Sequence, residues 1–227
     1  MRVIPSPNHG ERRENAVPDM VVIHYTAMAS ADLSCARLCD PEAEVSAHYL
    51  IDLDGMVTQL VPEDRRAWHA GRGRWGDVTD VNSRSIGIEL QNTSLHPFPA
   101  PQMAALEDLL RGILIRHAIP PARVIGHSDM APDRKSDPGP RFDWARLVAA
   151  GLAVAPARVE PPPTDDMGFL RDAVAFGYDP DLSLDLVLRG FRLRFRPWAR
   201  GPFDGHDAAM MRDLAARYPV DRGQGAG

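Results

Sequence analysis

Apolar positions along the chain follow two different periods. VVIHYT (21–26), SIGIEL (85–90) and RVIGH (123–127) are short runs rich in β-branched residues and predict strands. HYLIDLDGMVTQL (48–60) is two apolar segments joined by Asp54-Gly55, the signature of a hairpin. Between the last two strands Met103, Leu106, Leu110, Ile113 and Leu114 fall at helical spacing, which predicts a helix over 101–119 stopped by Pro120-Pro121. A second helix follows over 142–151, ended by Gly151, and ADLSCARLCD reads as a third. Strands alternating with helices make residues 1–152 an α/β domain.

The pattern then changes. Residues 153–166, AVAPARVEPPPTDD, hold four prolines and little that could be buried, so they read as a semi-extended linker. Three helical patterns occupy residues 167–227. The second has Leu184, Leu188, Phe191 and Phe195 spaced 4, 3 and 4; the third has Met210, Leu214 and Tyr218. Together they predict a small three-helix bundle, followed by a frayed tail DRGQGAG. The arginines of the bundle, Arg189, Arg192, Arg194, Arg196 and Arg200, read as a solvated face.

Composition changes this picture little. The chain has 227 residues, 44% hydrophobic and 25% charged, with a formal charge of -5. No global basic balance speaks for nucleic acid or an anionic membrane as partner. No window approaches the roughly 20 apolar residues of a membrane span, and MRVIPSPNHGERREN lacks the apolar stretch of an export signal, so a cytoplasmic protein is expected. Cys35 and Cys39, four apart, share one helix face. They could be small buried apolar residues, a disulfide or metal ligands; without another Cys or His pair nearby the first reading is preferred.

Candidate chemistry gathers on VIGHSDMAPDRKSDPGPRFDW (124–144), which puts His127, Lys135 and Asp137 on one short Pro-rich segment. A metal site is one explanation, and it needs a third ligand. His24, toward the end of VVIHYT, fits, because strand ends hold side chains in fixed directions beside a cleft. Two imidazoles and one carboxylate leave a tetrahedral Zn²⁺ one open position, the catalytic rather than the structural arrangement. Singly, His24 could be a hydrogen-bonded core histidine and Asp137 a turn residue. Glu89 closes the otherwise apolar SIGIEL as a carboxylate whose desolvation would suit a general base, unless it faces solvent. Lys135 could stabilise a developing oxyanion or be an exposed loop lysine.

VVIHYTA, SAHYLIDLDGMVTQLVPEDRRAWHAG, NSRSIGIEL and GHSDMAPDRKSDPGPRFDW, in this order, resemble the zinc-dependent N-acetylmuramoyl-L-alanine amidases of the amidase-2 type, over about residues 18–150. The resemblance implies a central mixed β-sheet flanked by helices, with Zn²⁺ as cofactor and peptidoglycan or its muropeptide fragments as substrate. The bond cut is the amide between N-acetylmuramic acid and L-alanine. It also implies His24, His127 and Asp137 as zinc ligands, Glu89 as base and Lys135 as oxyanion stabiliser. A peptidoglycan recognition protein without turnover is the alternative, and a metallopeptidase cutting the stem peptide is a third reading; the presence of Glu89 with Lys135 favours the amidase. Trp68 and His69 match the pattern as candidate cleft residues, although core packing is preferred for Trp68 and a structural role for His48. The bundle loosely resembles peptidoglycan-binding modules.

Overall fold

The computed structural model describes residues 1–157 and 164–220. The elements run β1 (Arg2–Val3), β2 (His9–Glu11), β3 (Met20–Tyr25), α1 (Ala31–Leu38), β4 (Tyr49–Ile51), β5 (Val57–Gln59), β6 (Arg65–Ala67), α2 (Val81–Arg84) and β7 (Ser85–Leu90). Then come α3 (Ala100–His117), β8 (Val124–Gly126), α4 (His127–Met130), α5 (Trp144–Ala149), α6 (Asp166–Phe176), α7 (Leu184–Phe195) and α8 (Gly205–Arg217).

Six strands form one sheet in the order β1-β5-β4-β7-β3-β8. β3 pairs in parallel with both β7 and β8, and β4 in parallel with β7. β4 and β5 are the antiparallel hairpin predicted around Asp54-Gly55, and its turn is closed by the Gly55 N–H on Asp52 O at 3.0 Å. The sheet is therefore mixed. β2 and β6 make a separate antiparallel pair.

Parallel strands in mid-sheet must be buried on both faces, so β3 reads as a continuous apolar run rather than an alternation. Its alternate residues feed two cores. Val21 and Ile23 join Ile86, Ile88 and Leu90 under α3 and α5, against Leu106, Leu110, Ile113 and Trp144. Met20 and Val22 face the other way with Ile125, and there the covering layer is the bundle: Phe169, Phe176, Tyr178, Phe191 and Phe195 belong to the same core cluster.

The bundle expected over 167–227 is present as α6, α7 and α8, packed on the sheet with no break in the apolar core. Ala153 and Val154 are themselves buried, so the chain stays anchored beyond residue 152. Of the 153–166 linker, residues 158–163 lie outside the described residues, as does the tail 221–227. The arginine run departs from expectation. Arg194 and Arg196 are buried, and Arg192 and Arg196 pair with the buried Asp207. No helix of the described residues is long and apolar enough to cross a membrane.

Candidate active site

Register alone brings three candidate residues together. His24 on β3 is the direct partner of Glu89 on β7, so both side chains leave the same sheet face. Ile23 pairs with Gly126 on β8, which puts His127 next in line. All three sit at the carboxyl ends of adjacent parallel strands, where open α/β sheets place their ligands. His127 opens the short helix α4 instead of closing the predicted strand. Asp137 returns from the loop beyond, tied back by the Ser128 N–H on Asp137 O at 2.9 Å.

His24 Nδ1 lies 2.9 Å and His127 Nδ1 3.0 Å from Asp137 Oδ2. The partners of the other ring nitrogens fix what these contacts mean. His127 Nε2 faces Ala70 O at 2.9 Å, a carbonyl that can only accept, so Nε2 carries a proton and Nδ1 is the ring nitrogen left to bind a metal. For His24 the same result comes through a chain. Ser85 Oγ–H donates to Val81 O at 2.6 Å and therefore accepts from His69 Nε2–H at 3.1 Å. That leaves His69 Nδ1 as acceptor for His24 Nε2–H at 3.0 Å. Two bare Nδ1 lone pairs thus point at a carboxylate oxygen, an arrangement that calls for a cation between them. Donor atoms of His24, His127 and Asp137 all lie within 4.8 Å of one another. Ring nitrogens anchored by outer partners are usual for histidines that ligate metals.

Protonation agrees with this geometry. Burial, reinforced by His127, lowers the His24 pKa to about 4, so the ring is neutral at pH 7. Burial alone would raise the Asp137 pKa, but positive charge at its Oδ2, from a proton on a facing imidazole or from a metal ion in its place, outweighs burial and holds the carboxyl well below its usual range. Neutral imidazole and ionised carboxylate are the forms a metal needs. Glu89 goes the other way: desolvation, then Asp137, pushes its pKa up to about 8 against the opposing charge of Lys135. Glu89 Oε2 is shielded from solvent and has no hydrogen-bond partner among the described residues. Lys135 lines the same cleft, and its side chain makes no ion pair among the described residues.

The cleft has a volume of about 340 Å³, and Arg37, Ser34, Trp68 and Tyr25 complete its walls. Trp68 is half-buried on this wall and not a core residue. His48 is structural as expected: Nδ1 accepts from the Gly87 N–H at 2.9 Å and Nε2 meets Arg65 O at 3.1 Å. Burial and the adjacent Arg12 lower its pKa to about 3. Cys35 and Cys39 are free thiols, and burial together with Cys35 pushes the Cys39 pKa up to about 11, in keeping with the apolar reading.

The tie between His69 and His24 has no motif of its own in the sequence. Its signal was Gly87, a glycine inside a β-branched strand: a Cβ there would lie 2.4 Å from His69 Cγ, so only glycine admits the ring. Arg134, on the same loop as Lys135, converges with His127 on Ala70 O.

A mixed α/β sheet carrying a His–His–Asp donor set beside a shielded glutamate describes a hydrolase with a metal-type centre. Residues 14–140 match the family Amidase_2, N-acetylmuramoyl-L-alanine amidase. N-acetylmuramoyl-L-alanine amidase AmiD of Escherichia coli is 35% identical over 234 residues, covering 89% of this chain and 84% of AmiD. The 1,6-anhydro-N-acetylmuramyl-L-alanine amidase AmpD of Enterobacter cloacae is 36% identical over 165 residues, 65% of this chain and 88% of AmpD. The structure of E. coli AmiD in complex with the substrate anhydro-N-acetylmuramic acid-L-Ala-D-gamma-Glu-L-Lys superposes with a TM-score of 0.80 at 34% identity, over 92% of this chain and 93% of that one. AmpDh3 from Pseudomonas aeruginosa superposes with the same score, 0.80, at 30% identity over 96% of each chain. The chain belongs to the N-acetylmuramoyl-L-alanine amidase family.

Proposed function

We propose that this amidase acts on 1,6-anhydro-muramyl peptides, with Zn²⁺ held by His24, His127 and Asp137, Glu89 as proton carrier and Lys135 as oxyanion partner. The convergence of two unprotonated Nδ1 atoms on Asp137 Oδ2 carries the reading. Zinc there would supply a Lewis acid for the amide carbonyl and acidify a water.

Glu89 sits at the register position opposite His24, beside the donor set. In its ionised form, which the positive charge of a metal at the donor set would favour, Glu89 takes the proton of the attacking water on Oε2, an atom with no hydrogen-bond partner among the described residues, and hands it to the departing L-alanine nitrogen, so one carboxyl serves both steps. As the carbonyl carbon becomes tetrahedral its oxygen gains charge, and the Lys135 ammonium on the cleft wall opposes that charge. One such contact typically lowers a barrier by about 3–4 kcal/mol. Trp68 and Arg37 line the cleft where an anionic glycopeptide would lie. The anhydro end of the substrate is proposed from the ligand of AmiD, a relative whose match extends through the bundle.

The test is digestion of purified 1,6-anhydro-muramyl tripeptide followed by mass spectrometry, with zinc content measured on the same preparation. Release of free peptide beginning at L-alanine, with one zinc per chain, is expected. Cleavage inside the stem peptide would replace this reading with a peptidase, and tight binding without cleavage would replace it with a recognition protein.

A further inference from the structure

The segment that carries His127 is clamped from outside the first 152 residues. Asp129, two positions beyond His127, has no exposed side-chain surface. Its Oδ2 accepts from the Gly126 N–H at 2.7 Å, fastening the first turn of α4, and from Arg194 Nη1 on α7 at 2.8 Å. Its Oδ1 accepts from the Tyr178 O–H at 3.2 Å. Arg194 Nη2 donates to Val124 O on β8 at 3.0 Å, and the guanidinium lies 4.5 Å over the Trp144 ring. The backbones meet more closely than a side chain would allow: a Cβ on Gly190 of α7 would come within 2.8 Å of Ser128 O.

Two ligands depend on this turn. It bears His127, and its Ser128 N–H holds the backbone of Asp137. Metal centres require their ligands within about 0.5 Å of the productive geometry, which supporting contacts must enforce. A buried ion pair is weak evidence for stability, and a role in fixing conformation is the better-supported use of one.

We propose that the C-terminal bundle is part of the metal-holding apparatus, with Arg194 and Tyr178 acting through Asp129 as positioning residues for His127. The proposal rests on the zinc reading above. Its consequence is that zinc affinity is set partly from α7.

The experiment measures the zinc dissociation constant of the full-length chain by chelator competition, with the visible spectrum of the cobalt-substituted protein as a second readout. Arg194→Met should weaken zinc binding by about 10- to 100-fold and alter the cobalt spectrum, the range typical for loss of an outer partner. Asp129→Asn should do the same, and the double variant should lose no more than either alone, because the two act as one unit. Arg192→Met is the control: it breaks a buried pair with Asp207 inside the bundle and should lower the melting temperature without moving zinc affinity. Equal zinc affinity in wild type and Arg194→Met overturns the proposal, as does an equal loss in Arg192→Met, which would mean general loosening. If Arg194→Met does not fold, Tyr178→Phe decides: a weaker zinc affinity supports the clamp and an unchanged one rejects it. A wild type that binds no zinc would instead bring down the functional reading itself, and this inference with it.

Discussion

Replacing Glu89 by Gln separates what this residue does for catalysis from what it does to stability. In the metal-free protein the Glu89 pKa stands at about 8, against 4.5 for the exposed carboxyl. Between those values the folded state keeps its proton while the unfolded chain gives it up, so stability falls as pH rises. Each pH unit of that window is worth about 1.4 kcal/mol, which makes the full window about 5 kcal/mol, an upper figure because Glu89 is only half-buried and borders an open cleft. Gln resembles the protonated form. Wild type and Glu89→Gln should therefore match at pH 5, and the variant should be the more stable by several kcal/mol above pH 8. Urea unfolding of both metal-free proteins across that range reads the difference, and groups common to both, such as His24, cancel. Turnover should move the other way, falling by about 10²–10⁴ while zinc and muropeptide still bind. Stability curves that stay parallel from pH 5 to 8.5 would refute the shielded carboxyl, and undiminished turnover would refute the proton carrier.

Lys135→Met should lower kcat by about 10²–10³ with little change in KM and no loss of zinc affinity, measured by steady-state kinetics and chelator competition. His69→Ala removes the acceptor of His24 Nε2–H and should weaken zinc binding by about 10- to 100-fold, read by the same competition. Truncation after Ala153 should yield an aggregating protein in size-exclusion chromatography, because it exposes the sheet face of Met20, Val22, Trp75 and Ile125 that the bundle covers. A monodisperse, zinc-binding truncation would show that face to be stable on its own.

The elements legible in the sequence are those whose period is local. β3, β7 and α3 carry six or more residues of consistent pattern, and the Asp54-Gly55 hairpin announces itself by turn chemistry. β1, β2 and β6, at two or three residues each, are too short to hold a period and exist only through their partners. The donor residues were legible because chemistry dictates residue type. Their outer partners were not, since a carbonyl such as Ala70 O or a hydroxyl such as Ser85 Oγ has no signature in one dimension. Arg194 is the instructive case. By composition it belongs to a basic run, yet it stands three residues after Phe191, inside the apolar stripe of α7, where a charge can persist only with a partner. Asp129 is its complement, a carboxylate in the HSD motif that stands outside the donor set of His24, His127 and Asp137. The two are 65 positions apart and pair with 1% or less of either side chain exposed. Each looks out of place only in its own segment, and their pairing is what makes the sheet and the bundle one core.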